Sequence, residues 1–155
     1  MIRLAEPSDV AGLVDLVAAF HAQHVVLCPR DYHAKLDRVA LGEMIADALS
    51  SQAEVVAVAV QGGMPVGYVW GCVIDRVSSA LSPAARTLFL QQIVVAKDRR
   101  RSGVGTALLG FLDAVAKAIG ANSVMLDCAV TNEPAQSFFE VRGFHRSTAI
   151  MRRDF

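Results

Sequence analysis

The stretch Val94-Val95-Ala96-Lys97-Asp98-Arg99-Arg100-Arg101-Ser102-Gly103-Val104-Gly105-Thr106 carries an apolar strand into a basic, glycine-bearing turn that opens directly into a helix. A helix start leaves successive backbone N–H groups without carbonyl partners. The helix dipole adds partial positive charge at the same place, so this order of residues suits the binding of a phosphate. Gly103 and Gly105 carry no Cβ and let a ligand approach the backbone. The run is not a P-loop, since G-x-x-x-x-G-K-[ST] is absent. Nor is it a dinucleotide fingerprint, since Leu108 stands where the third glycine belongs. The bland alternative is a solvated basic turn, and its surroundings decide between the two.

At 155 residues the chain is long enough to bury a substantial core and is most simply one domain, 1–155. Its 54% hydrophobic content fits a globular fold and excludes disorder. Lys plus Arg and Asp plus Glu both number 15, so net charge gives no reason to expect nucleic acid or an anionic membrane as partner. Against that neutral background Lys97 and Arg99 to Arg101 stand out. Nucleic-acid binding through them would call for interleaved aromatics and a wider basic surface, which the chain lacks. Cys28, Cys72 and Cys128 are odd in number and lack C-x-x-C spacing, so free, mostly buried thiols in a reducing compartment are expected. The four histidines show only one i, i+3 relation, His21 to His24, and no metal site is expected. There is no basic n-region with an apolar h-region behind it, and no uninterrupted apolar run approaches membrane-spanning length. A cytoplasmic protein, monomer or homodimer, is the expectation.

The elements that must position the arginine loop follow from pattern. Met1 to Leu4 reads as a short strand. Ser8 or Asp9 caps a helix in which Val10, Leu13, Val14, Val17 and Phe20 recur at helical spacing to about His24. Val25 to Arg38 is irregular, and Val39 to Ser50 is a second, shorter helix. Glu54 to Gln61 is apolar on both faces, which suits an interior strand. Gln61-Gly62-Gly63-Met64 is a hairpin turn, followed by strands at Val66 to Val77 and Thr87 to Val95. After the loop, Val104, Leu108, Phe111, Leu112, Val115 and Ile119 stripe a long helix that Gly120 stops. Ser123 to Val130 predicts a strand, Asn132-Glu133-Pro134 starts a helix ending at Arg142-Gly143, and a final strand falls near Thr148 to Arg153. Together these predict a mixed α/β fold with a central, mostly antiparallel sheet flanked by helices, and a cleft where the pairing changes character.

Order and residues together resemble the GNAT family of acetyl-coenzyme A-dependent N-acetyltransferases, over nearly the whole chain. The likeness is sharpest at Arg100-x-x-Gly103-x-Gly105, which resembles the family's pyrophosphate loop, preceded by Leu90-x-x-Ile93-x-Val95. It is sharp again at Asn132-x-x-Ala135-x-x-Phe138-Phe139-x-x-x-Gly143-Phe144, one helix and one strand further on. Ile2-Arg3-Leu4-Ala5 with Asp9, and Pro29-x-x-Tyr32, add weaker support. The resemblance implies that Arg100, Arg101, Ser102, Gly103, Val104, Gly105 and Thr106 hold the pyrophosphate of acetyl-CoA. It also implies that Ile93, Val94 and Val95 pair with the pantetheine arm, and that Asn132 and Phe139 lie against the coenzyme. Asn132 is also explained as a helix cap, and Phe138 and Phe144 as core.

An amine attacks a thioester only as the free base, the oxyanion needs a preorganised donor, and the departing thiolate takes a proton. In the family that last proton commonly comes from a tyrosine at the place held here by Phe139, which has no hydroxyl. A thiol of pKa about 8.5 leaves tolerably without one, and Tyr32, Tyr68 or water remain as donors. Similar enzymes often carry Glu or Asp where Gln91 and Gln92 stand. Strand alternation aims one of the pair into the cleft, and a neutral amide is no base. Gln91 and Asp127 are therefore the candidate catalytic residues, with an exposed strand acid the plain reading of Asp127. The acceptor implied is a primary amine of a small molecule or peptide. The alternative is a non-catalytic acyl-CoA-binding regulatory module on the same fold.

Overall fold

A computed structural model describes residues 1–155. Glu54–Gln61 (β2) packs Val56 and Val58 on one side and Ala57 and Ala59 on the other, all buried, as the two-sided apolar pattern requires. It lies second in a five-stranded sheet ordered β1-β2-β3-β4-β5, with Ile2–Leu4 (β1), Met64–Arg76 (β3), Ala85–Val95 (β4) and Ser123–Leu126 (β5). The first four strands are antiparallel; only β4 and β5 run parallel. Val10–Leu27 (α1) and Arg38–Ser50 (α2) cover one face through Leu13, Val17, Leu41 and Ile45. Val104–Ala118 (α3) covers the other through Leu108, Leu109 and Leu112, with Glu133–Glu140 (α4) joining it through Phe139.

Several boundaries depart from the sequence reading. α1 starts after a 3-10 turn at Pro7–Asp9 and runs to Leu27. Pro7–Leu27 is long and apolar enough to cross a membrane by length and composition, its most apolar 18 residues averaging a mean hydropathy of 1.6, although Asp15, His21 and Gln23 interrupt the apolar run. In this fold its Leu13, Val14, Leu16 and Val17 are buried in the core. Neither Ser8 nor Asp9 caps α1 through its side chain. Asp9 instead accepts the Glu6 N–H at 2.8 Å and takes both ends of the Arg3 guanidinium, at 2.7 and 3.0 Å. That pair holds the Asp9 carboxyl below its ordinary value although burial pushes the other way.

β5 stops at Leu126, not Val130. Its last partner is Leu90, after which β4 bulges and leaves the segment from Asp127 without a ladder. No strand forms at Thr148 to Arg153, because no neighbouring strand lies in register with it. Exposed ion pairs of Arg152 with Asp31 and of Asp154 with Arg30 tie that tail to the connection between α1 and α2. The three cysteines are free, as expected, but half-buried.

Candidate active site

Beyond the bulge, β4 loses its parallel neighbour and opens a gap. The Ala96 N–H donates to Val66 at 2.9 Å, which fixes the phase of the β3–β4 ladder. Antiparallel alternation then turns the N–H and C=O of Ile93 and Val95 away from β3, toward the gap. Their side chains pack under the sheet against α3, while Val94 is buried on the α1 face. The strand therefore presents backbone, not side chain, to whatever enters.

The chain leaves Val95 through a 3-10 turn at Lys97–Arg99 and reaches α3 across Arg100 to Gly103. Arg101 (φ 59°) and Gly103 (φ 86°) are both left-handed. From Arg100 through Thr106 no backbone N–H has a partner within the protein; the first helical bond is from Ala107 to Gly103, at 3.0 Å. Unpaired N–H groups gathered at the positive end of a fifteen-residue helix form an anion-binding nest. The arginines around it divide their work. Arg99 pairs with Asp98, and the Arg100 Nε–H donates to the Val95 carbonyl at 3.2 Å, while Arg101 is in no ion pair. The Ser102 hydroxyl donates to the Arg99 carbonyl and holds the turn.

Gly105 faces α4: a Cβ there would lie 3.4 Å from the Phe138 ring and 3.6 Å from Val95, both ordinary contact distances. Sequence reading missed Arg142. Its guanidinium lies 3.8 Å over the Phe138 ring, donates to the Phe138 carbonyl at 2.8 Å, and reaches the Thr106 hydroxyl, while its Nε is buried without a partner. Arg142 thus braces the loop from the end of α4. The available signal was a cation just past the end of the helix, where the last carbonyls lack partners.

Asn132 caps α4, its Oδ1 accepting from the Ala135 N–H at 3.3 Å. Phe139 is 8% exposed, edge-on to Phe138 and Phe144, so the position carries a buried ring with no hydroxyl. Asp127 is exposed beyond the end of β5. It neighbours Tyr32, whose phenol is pushed up first by burial, then by the charges at Cys28, Asp127 and Asp31.

The glutamines do not alternate. Trp70 pairs with Gln92 and Gly71 with Leu90, so Gln91 is the extra residue of a β-bulge. The bulge cancels the alternation, and both Gln91 and Gln92 line one cavity of about 510 Å³ between α2 and the sheet, with Asp47, Glu54 and Trp70. The buried Tyr68 hydroxyl donates to the Gln92 Oε1 at 2.6 Å, which leaves the amide NH2 to the cavity. Burial pushes the Tyr68 phenol far above its ordinary value, so it stays a protonated donor. The Trp70 Nε1–H donates to Glu54 at 2.8 Å. Asp127 does not line this cavity.

A sheet splayed next to an unpaired-amide nest is the arrangement of an acetyltransferase fold. The model of the acetyltransferase (GNAT) family matches residues 18–144, and the chain belongs to that family. Among solved structures it is similar to a tetramutant of the BH1408 protein from Bacillus halodurans (19% identity, TM-score 0.91, 100% of this chain and 99% of that chain). It is also similar to the apo aminoglycoside 6'-N-acetyltransferase AAC(6')-Ig from Acinetobacter haemolyticus (15% identity, TM-score 0.78, 100% and 97%). A third is aminoglycoside N-acetyltransferase AAC(6')-Iy, solved in complex with CoA (15% identity, TM-score 0.78, 100% and 93%). A sequence search of curated proteins returns no match.

Proposed function

We propose that residues 1–155 act as one domain that transfers the acetyl group of acetyl-CoA directly to a primary amine of a small molecule or peptide. The observation that carries this reading is the succession of two backbone surfaces. The free edge at Ile93 and Val95 is followed, after the turn at Lys97–Arg99, by the unpaired N–H groups of Arg100 to Thr106. An extended amide-bearing arm ending in a pyrophosphate, which is the shape of the coenzyme, suits that pair of surfaces. Acetyl-CoA supplies the thioester; the amine nitrogen forms a bond to its carbonyl carbon, the carbon–sulfur bond breaks, sulfur leaves with the electron pair, and the proton lost from the nitrogen ends on that sulfur as the free thiol. A backbone N–H of the free edge serves as the oxyanion donor. Gln91 lines the cavity and Asp127 does not, so in this reading they do not act as a pair.

The catalytic reading is tested by incubating the protein with acetyl-CoA and a panel of primary amines and following free thiol release. Acetylation of at least one amine above background is expected, and it should be lost in Gly103→Val. Coenzyme binding without turnover on any amine would favour the second reading, a regulatory acyl-CoA-binding module. Two observations favour that alternative: the buried Phe139 has no hydroxyl, and β4 carries glutamines and no acid at its bulge.

A further inference from the structure

The cavity above the bulge has an uneven distribution of charge. Its two ionisable groups, Asp47 of α2 and Glu54 of β2, are both acids, and no Lys, Arg or His lines it. None of the chain's ion pairs engages either one. Glu54 is held in place instead by the Trp70 indole, through one carboxylate oxygen. Asp47 shares an i, i+3, i+4, i+7 helix face with Met44, Ala48 and Ser51, so α2 aims it at the same space.

The acids and the reacting end are also well separated. Glu54 starts β2 and Gln92 lies on β4, with Trp70 of β3 between them. Two strand spacings amount to roughly 10 Å. Glu54 is therefore too far from the free edge of β4 to hold the amine that reacts there, and at the right remove to hold a second charge on the same molecule. Trp70 lines the cavity between the two ends but is otherwise buried in the core, so its part is to fix Glu54 through the indole N–H. At the reacting end Gln91 and Gln92 offer neutral amides, which do not compete for that second charge.

We infer that the acceptor is a small dication, reacting through one amine at the Gln91–Gln92 end while Glu54 and Asp47 hold a second positive charge at the far end of the cavity. This rests on the N-acetyltransferase reading above and names the acceptor class for it. The carboxylates that recognise the acceptor then lie on β2 and α2, not on β4.

The test compares α,ω-diamines with monoamines of equal chain length, by calorimetry on coenzyme A-loaded protein and by initial rates with acetyl-CoA. Diamines whose nitrogens span most of roughly 10 Å are expected to bind and react about tenfold better than their monoamine partners, the scale of one partly solvated charge-assisted hydrogen bond. Glu54→Gln keeps an acceptor for the Trp70 N–H and so spares the fold. It and Asp47→Asn should each collapse the diamine-to-monoamine ratio toward one, mainly through KM. Glu43→Gln, exposed on the same helix and outside the cavity, should leave the ratio unchanged. A ratio of one in the unmodified protein, or a preference that survives both substitutions, overturns the inference. Monoamine turnover without diamine preference leaves the enzyme reading standing and removes this one. Diamine binding that depends on Glu54 without any turnover supports the cation site and counts against catalysis.

Discussion

The two ends of the site are built from different material. The proposed coenzyme end is main chain: the free edge of β4 and the unpaired N–H groups from Arg100 to Thr106, with side chains such as Arg100, Ser102 and Arg142 serving to hold the backbone. The proposed acceptor end is side chain throughout: Gln91 and Gln92 of β4, Asp47 of α2, Glu54 of β2 and Trp70 of β3. A backbone site fixes one ligand chemistry and tolerates many side chains around it. A side-chain site changes its ligand with each substitution, and so carries the specificity.

Substitutions at the two ends should therefore fail in different ways. The largest effect is expected from Gly103→Val, which forces a β-branched residue to φ 86°. Strain of about 1–3 kcal/mol there should appear as a ten- to hundredfold loss of acetyl-CoA affinity by calorimetry. A near-normal affinity would mean that the loop is not the coenzyme's seat. Next, Phe139→Tyr is expected to raise kcat by about tenfold, less than the ~10² to 10⁴ of a full general acid, because a thiolate leaves tolerably unaided. An unchanged kcat would show that another group already delivers that proton.

Arg142→Ala removes a cation stacked on Phe138 and its bond to Thr106, and should weaken coenzyme binding several-fold. Arg142→Lys should restore little, since the stacking and forked bonds need a guanidinium. Away from both ends, Asp9→Asn tests a scaffold ion pair. The folded-state carboxyl of Asp9 lies below its unfolded value, so its stabilisation is complete above about pH 4 and is lost as pH falls through the folded value. The variant should lose about 1–3 kcal/mol at pH 7 in denaturant unfolding, with the difference closing in acid. The smallest effect is expected from Tyr68→Phe, which frees the Gln92 amide to turn and should change the amine KM by no more than a few-fold.

The same contrast explains what could be read from the chain. The loop, the helix starts at Val104 and Glu133, and the two-sided β2 were legible because they depend on local backbone rules and periodicity. Gly103 lies at φ 86° in the turn, as a local rule suggests, whereas the neighbour of Gly105 is Phe138, thirty-three positions away and across a helix interface, which no local pattern discloses. The acceptor end was hidden because a bulge at Gln91 breaks the period-two rule on which strand faces are read. Glu54 and Asp47 have no motif, and only the register of β2 and the pitch of α2 bring them beside the glutamines. The missing strand at Thr148 to Arg153 has a related cause, since alternation shows that a segment can pair but not that a partner edge stands beside it.

The central claim, that the free edge of β4 and the Arg100–Thr106 nest together hold acetyl-CoA, is tested most directly by calorimetric titration of the unmodified protein with acetyl-CoA at near-physiological salt. One-to-one binding in the micromolar range is the expected result. No detectable heat with millimolar coenzyme would contradict it.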